Sequence, residues 1–254
     1  TMKPPRGIPL GLNLGYRIGA GLLLPVMRAI TKRNWMNTEK IPKSGPAVFY
    51  SNHLSYIDAL VLAHYLFENG RAARFIGKEA VFKVPIVGWV LYKAEQIPVK
   101  RESNSAAIAL AEAISALQMG HAIAIYPEGT LTRDEKMWPM TGKTGAVRLA
   151  LAANAPLIPV AQWGDQEILG PYSKRLRLFP PKLVNLKCGD PLDLSKWSGK
   201  VDDPAAMEEA TSYAMRTLAD MVGELRNEAA PKVLFDIRKS DLPRTGNFRK
   251  KRKD

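Results

Sequence analysis

The sequence predicts an α/β domain with a mixed, partly parallel central sheet flanked by helices. Short apolar runs rich in β-forming residues recur along the chain, at Ala47–Tyr50, Ala122–Tyr126 and Leu157–Ala161. Between them lie segments of helical periodicity, of which Ser103–Met119, followed by Gly120, is the clearest. Strands that alternate with helices along a chain are typical of an α/β domain.

The N-terminal segment, residues 1–36, is predicted to be helical and amphipathic. Its apolar runs are interrupted by cations and by Pro25, so it contains no stretch of about 18 apolar residues that could span a membrane. Two interpretations remain open: a helix, unbroken or broken near Pro25, lies in a membrane interface, or it packs on the domain. The residues that can share one helical stripe are Leu12, Tyr16, Leu23, Met27 and Ile30.

Residues 37–230 form the predicted α/β domain, and residues 231–254 a basic, disordered tail. Further strands are expected at Ala73–Gly77, Ile97–Val99 and Leu183–Lys187, the last nearer an edge of the sheet. Further helices are expected at Ser55–Phe67, Thr141–Ala153 and Pro204–Asn227. The run Val84–Leu91 is apolar on nearly all sides, which predicts that it is buried or lines an apolar groove.

Composition limits the classes of partner. The chain has 254 residues and a net charge of +13, which favours nucleic acid, anionic lipid or phosphorylated substrates. Its one cysteine, Cys188, excludes an internal disulfide, and the sequence has no cysteine cluster of the zinc-binding kind. We expect no metal site.

A histidine and an aspartate flank the end of the first predicted strand of the domain. His53 lies where the strand ends and Asp58 where a helix begins, so a turn between them lets Asp58 fold back onto His53. Ser55-x-x-Asp58 also fits a capping box with Ser55 as the N-cap. A histidine held by a fixed carboxylate can act as a general base. The alternative is a helix cap beside a structural histidine.

A second motif follows another strand, at Pro127-Glu128-Gly129-Thr130. Together, Asn-His-x-x-x-x-Asp (residues 52–58) and Pro-Glu-Gly-Thr resemble the glycerophospholipid acyltransferases, and in particular the bacterial-type 1-acylglycerol-3-phosphate acyltransferases. The resemblance covers roughly residues 40 to 190, in the order and spacing of that family.

The resemblance implies transfer of a fatty acyl group from acyl-CoA or acyl carrier protein to lysophosphatidate, giving phosphatidate. Glycerol 3-phosphate or another lysophospholipid is the alternative acceptor. His53 would take the proton of the acceptor hydroxyl, and Asp58 would orient the ring of His53. Because a thiolate leaves readily, no covalent nucleophile is required, which argues against that role for Ser55 or Cys188. No cofactor is implied besides the acyl donor, which is a co-substrate.

The acceptor phosphate calls for cations and for backbone that can approach closely. Arg101 occupies the position of the family's basic residue, although Lys100 replaces the acidic residue that usually precedes it. Leu131 stands where the family commonly has arginine, and Arg133 is a substitute from the same loop. The remaining substrate-binding candidates are Lys78, Lys143, Glu128, Gly129 and Thr130. Glu128 could instead orient Arg101 or His53.

The rival from another class is a basic protein that binds nucleic acid or membrane without catalysis. Its support is the net charge and the basic C-terminal tail. After Arg244 the tail has a single aromatic residue, Phe248, on which a base could stack. We therefore do not expect nucleic acid as a partner. We expect a peripheral or monotopic protein on the anionic, cytoplasmic face of the cell membrane.

Overall fold

A computed structural model describes residues 11–99 and 105–243, and in this part the chain forms one seven-stranded sheet. The strands are β1 (Thr31–Met36), β2 (Ala47–Ser51), β3 (Arg74–Lys78), β4 (Ile97–Val99), β5 (Ala122–Ile125), β6 (Leu157–Trp163) and β7 (Lys182–Cys188). Their spatial order is β1-β7-β6-β2-β5-β3-β4. The five strands from β6 to β4 run parallel, whereas β7 is antiparallel to β6 and β1 is parallel to β7. The predicted mixed, partly parallel sheet is confirmed.

Helices cover both faces of the sheet. They are α1 (Leu14–Ile30), α2 (Asp58–Glu68), α3 (Glu79–Phe82), α4 (Val87–Lys93), α5 (Ser105–Gln118), α6 (Gly145–Ala152), α7 (Asp165–Ile168) and α8 (Pro204–Arg226). Strand β2 shows the layering: Phe49 packs with α1 and α2 on one face, and Val48 and Tyr50 pack with α5, α6 and α8 on the other. A strand buried on both faces reads as a continuous apolar run.

The predicted N-terminal segment is wrong at its C-terminal boundary. One helix, α1, passes through Pro25 unbroken and ends at Ile30. Thr31–Met36 is then the edge strand β1, paired with β7, whose residues lie 151 positions further along the chain. Local sequence could not reveal that partner. The predicted helical stripe is largely turned to the core, since Tyr16, Met27 and Ile30 are buried.

A single carboxylate ties α1 and β1 to α2. Glu68, the last residue of α2, accepts hydrogen bonds from Arg28 on α1 (3.0 Å) and from Arg33 (3.2 Å) and Trp35 (2.9 Å) on β1. His64 Nε2 lies 3.1 Å from the same carboxylate. Burial alone would raise the pKa of Glu68, but these partners outweigh it and lower the pKa to about 2. The Glu68 carboxylate therefore stays charged at ordinary pH.

The predicted disordered tail begins too early. From Pro231 to Arg238 the chain lies on the domain: Thr141 donates a backbone hydrogen bond to Phe235, Arg216 donates to the carbonyls of Pro231 and Lys232, and Arg238 pairs with Glu208. The local sequence is polar and basic, and its partners are distant in sequence, which explains the error. Residues 244–254 lie outside the described residues.

Among the described helices, none is both long enough and apolar enough to cross a membrane.

Candidate active site

The parallel strands bring the predicted site residues to one edge of the sheet. His53 follows β2, Lys78 ends β3 and Glu128 follows β5, and these strands are neighbours in the sheet. The carboxyl ends of parallel strands meet at one edge, which is where open α/β sheets bind ligands. The site is thus assembled from segments far apart in sequence.

His53 and Asp58 form the predicted pair. His53 Nδ1 lies 2.9 Å from Asp58 Oδ2, and the same oxygen accepts the backbone N–H groups of Leu54 (2.5 Å) and Ser55 (2.9 Å). The Asp58 side chain is fully buried, whereas about a fifth of the His53 side chain (21%) is exposed. An ionised Asp58 fixes the proton on Nδ1, which leaves Nε2 as the basic nitrogen.

Ser55 makes half of the predicted capping box, because its Oγ accepts the N–H of Ile57 at 3.3 Å, although regular helix α2 begins only at Asp58. Ser55 Oγ also donates a hydrogen bond to the Leu169 carbonyl at 2.6 Å. The other half of the capping box is present, because Asp58 reaches back to the N–H of Ser55. Ser55 therefore joins the α2 turn to the segment after α7.

The imidazole of His53 is held as a neutral base. Its ring stacks on Tyr126, with centroids 4.4 Å apart and planes 22° apart. Burial, and then the charge of Lys78, lowers the pKa of His53 to about 3. Lys78 thus stands close enough to the cleft for its charge to act on the histidine.

Glu128 supports the backbone of the histidine. Its Oε1 accepts the N–H of His53 at 2.9 Å and its Oε2 the N–H of Met140 at 3.1 Å, and the residue is buried. Burial raises the pKa of Glu128 to about 8, although both N–H donors oppose the shift. Burial therefore opposes a negative charge on Glu128, which would repel an anionic ligand. These contacts agree with the predicted orientation of His53, and the predicted contact of Glu128 with a substrate hydroxyl stays a prediction.

The rest of the second motif shapes one side of the cleft. Gly129 has a φ of +66°, and a Cβ there would lie 3.0 Å from Lys143 Nζ, so this glycine lets a lysine cross the loop closely. Thr130 is buried and hydrogen-bonds the Tyr172 side chain. Arg133 is buried, with its guanidinium 4.6 Å from the centroid of the Tyr172 ring. Arg101 lies outside the described residues, so its predicted place at the phosphate stays a prediction.

Three residues that the motifs do not mark complete the site. Gln162, near the end of β6, is joined to Asn52 by reciprocal hydrogen bonds: each side-chain amide donates to the other residue's carbonyl, and Gln162 N–H donates to Asn52 Oδ1. The ring of Tyr126 stacks on the ring of His53, and the carboxyl group of Asp165 contacts that of Asp58. Their roles depend on β6 and β5 lying on either side of β2, which no short motif shows.

A sequence model of one family, described as acyltransferase, matches residues 32–163, which is more than half of the chain.

The chain belongs to the acyltransferase family.

Relatives of this acyltransferase chain include a 1-acyl-sn-glycerol-3-phosphate acyltransferase of Bacillus subtilis (strain 168), 28% identical over 74% of this chain and 89% of the relative. A chloroplastic 1-acyl-sn-glycerol-3-phosphate acyltransferase of Brassica napus is 29% identical over 54% of this chain and 39% of the relative. The chain thus spans about two fifths of the length of the first curated relatives it matches. The resemblance drawn from the two motifs is confirmed.

The fold has a solved counterpart. The 1-acyl-sn-glycerophosphate acyltransferase PlsC from Thermotoga maritima has a TM-score of 0.63 at 22% identity, over 83% of this chain and 82% of that one. At that identity the likeness shows the fold alone.

Replacing Glu128 by glutamine in this acyltransferase is expected to destabilise the active-site loop. The amide offers one acceptor where the carboxyl offers two, so one buried N–H, of His53 or Met140, loses its partner. We expect a loss of about 1–3 kcal/mol in unfolding free energy and roughly tenfold in turnover, because the His53 backbone shifts. Urea unfolding and turnover measure these effects. Glu112→Gln, on the exposed side of α5, is the control; equal behaviour of the two variants would contradict the supporting role.

Proposed function

We propose that the protein transfers a fatty acyl group from a thioester to the free hydroxyl of lysophosphatidate, giving phosphatidate. The observation that carries this proposal is the neutral His53, oriented by Asp58 at the carboxyl edge of the sheet. The names of the relatives support lysophosphatidate as the acceptor. Glycerol 3-phosphate or another lysophospholipid is the alternative.

The reaction needs one base and no covalent intermediate. His53 Nε2 takes the proton of the acceptor hydroxyl as its oxygen attacks the thioester carbonyl. Asp58 stabilises the imidazolium that forms, as in other carboxylate–histidine pairs. The tetrahedral intermediate expels the thiolate, which takes up the proton from the imidazolium. This chemistry calls on no metal and no cofactor besides the acyl donor, which is acyl-CoA or acyl carrier protein.

Cations around the cleft suit a phosphorylated acceptor. The charge of Lys78 acts on His53, and Lys143 crosses the loop at Gly129. Arg133 lies on Tyr172 in the same wall. We propose that these cations, together with Arg101, bind the phosphate of the acceptor.

An apolar cavity lies beside helix α2, the helix that begins with Asp58. Its volume is about 460 Å³, within the range of about 300–1,000 Å³ usual for ligand pockets. It runs between α1, α2 and α4 and is lined by Leu23, Ala59, Leu60, Ala63, Val90 and Leu91, among others. Ala59 and Leu60 directly follow Asp58, so a chain in this cavity would end near the base. The expected groove-lining role of Val84–Leu91 agrees with the part that α4 plays here.

The decisive experiment measures thiol release from acyl-CoA with lysophosphatidate present, followed by mass analysis of the lipid product. We expect release to depend on the acceptor and the product to be phosphatidate. Parallel reactions with glycerol 3-phosphate, other lysophospholipids and acyl–acyl carrier protein identify the true acceptor and donor. Equal release without any acceptor would mean hydrolysis, and would refute the proposed transfer.

We also propose that α1 and α4 hold the protein against an anionic membrane surface, as a peripheral or monotopic protein on the cytoplasmic face. A second stripe of α1, distinct from the predicted one, is exposed and apolar, and α4 adds exposed apolar residues beside it. The two helices touch closely at Gly15, where a Cβ would lie 2.2 Å from the Lys93 carbonyl. The exposed residues are Leu14, Ile18, Leu22 and Val26 on α1 and Val87, Trp89 and Tyr92 on α4.

The double substitution Leu22→Glu, Trp89→Glu is expected to lower binding to anionic vesicles by about a hundredfold or more. Burial of one apolar side chain contributes about 1.5–3 kcal/mol, and both side chains are more than half exposed in the free protein. Co-sedimentation measures the change. Tyr213→Glu is the matched control, because Tyr213 is exposed on α8, on the opposite face of the sheet. If the double variant binds vesicles as well as this control, α1 and α4 do not form the membrane surface.

A further inference from the structure

Asp165 is a fully buried acid that the proposed mechanism does not use. It follows Gly164 at the carboxyl end of β6. Gly164 has a φ of +116°, and a Cβ there would lie 2.1 Å from the Leu183 carbonyl oxygen, so only glycine fits this turn. Because β6 pairs with β2, the turn brings Asp165 beneath the His53–Asp58 pair.

The carboxyl groups of Asp165 and Asp58 are in hydrogen-bond contact. Asp58 Oδ2 already serves three donors, the N–H groups of Leu54 and Ser55 and the ring of His53. Among the described residues Asp58 Oδ1 makes no hydrogen bond of good geometry, although the Gln162 side chain lies close enough to favour the charge of Asp58, so Oδ1 is the oxygen left for Asp165. Neither oxygen of Asp165 makes such a bond among these residues, and only its own backbone N–H lies near enough to favour its charge.

Two carboxyl groups in contact within a buried space cannot both be ionised, so one proton remains between them. The hydrogen bonds decide which group keeps it. Three N–H groups and the Gln162 side chain favour the charge of Asp58, whose pKa burial raises to about 7, whereas only its own backbone N–H favours the charge of Asp165. Burial, and then the charge of Asp58, raises the pKa of Asp165 well above its ordinary range. Asp58 therefore ionises first.

We propose that Asp165 is a positioning residue of this active site: as a neutral acid it donates its O–H to Asp58 Oδ1. The inference deepens the proposed function, since it acts through the base that the function requires. This fourth hydrogen bond keeps Asp58 ionised and stops its carboxylate from rotating away from His53. A donor to a carboxylate lowers that group's pKa.

The other titratable groups around the pair do not supply this donor. Tyr126 stacks on the imidazole, and its buried hydroxyl lies near the Gln162 side chain but makes no hydrogen bond to either carboxyl. Burial, and then both carboxyls, raise the pKa of Tyr126 well above its usual range. Glu128 accepts two backbone N–H groups. Lys78 acts on the imidazole through its charge.

The test compares two replacements of nearly the same shape. Asp165→Asn still donates an N–H to Asp58, whereas Asp165→Leu cannot donate. We expect the asparagine variant to keep turnover within about threefold of the parent and the leucine variant to lose about tenfold to a hundredfold. Without the donor the pKa of Asp58 rises, so the acid limb of the pH–rate profile moves upward by about one pH unit or more. Asp165→Ala replaces the leucine variant should leucine prevent folding.

A second readout is independent of activity. The chain has three histidines, so selective labelling gives an NMR spectrum of three imidazoles. The titration of the His53 signals should move to higher pH in the leucine variant. In the asparagine variant it should stay at the pH found for the parent. If asparagine is as damaging as leucine, or if neither variant moves the titration, the proposal is overturned. An inactive parent enzyme would refute the proposed function, and the NMR titration would still decide the role of Asp165.

Discussion

His53→Ala is expected to lower acyl transfer by about 10²–10⁴-fold, the usual loss when a general base is removed. The fold should survive, because the side chain is partly exposed and its one charged partner, Asp58, keeps two backbone donors. The measurement is turnover with saturating donor and acceptor, alongside circular dichroism and thermal unfolding.

His121→Ala is the control for this variant. His121 directly precedes β5, at the amino end of the strand and away from the catalytic edge. The His121→Ala variant should keep full activity. Near-normal turnover in a folded His53→Ala protein would mean that some other group takes the hydroxyl proton, and the mechanism would fail.

Asp58→Ala is expected to reduce both activity and stability. The imidazole loses the group that fixes its tautomer, which typically lowers turnover by about 10²–10⁴-fold. The buried N–H groups of Leu54 and Ser55 also lose their acceptor. At about 1–3 kcal/mol each, this loss lowers the unfolding free energy by about 2–6 kcal/mol.

Asp58→Asn separates these two effects. Its amide oxygen can occupy the Oδ2 position and accept all three donors, while its NH₂ group faces Asp165. Stability should therefore stay near that of the parent, and activity should fall less than in Asp58→Ala. If the folded fraction of Asp58→Ala turns over within threefold of the parent, Asp58 does not orient the base.

The parts of this protein that could be predicted from sequence are those written in local patterns. The strand before His53, the turn that folds Asp58 back and the helix Pro204–Arg226 each depend on residues close together in the chain. These patterns, with the second motif, were enough for the fold class and for the contact between His53 and Asp58.

What could not be predicted depends on contacts between distant segments. Strand β1 exists because β7 offers it a partner much later in the chain. Glu128 supports a backbone N–H only because β5 lies beside β2. Asp165 looks like an ordinary helix-start residue until β6 is placed on the other side of β2. Each of these requires the strand order, which no single motif contains.

The hydrogen bonds that Glu68 accepts from α1 and β1 bear on how the proposed active site would sit at a membrane surface. Because the Glu68 carboxylate links α1 and β1 to α2, and α2 begins with Asp58, a movement of α1 relative to α2 would break these hydrogen bonds. If α1 rests in a leaflet, the height of the catalytic edge above the lipid is fixed by the body of the protein. The substrate must then travel that distance, so the depth and tilt of the docked protein select which lipid hydroxyls come within reach.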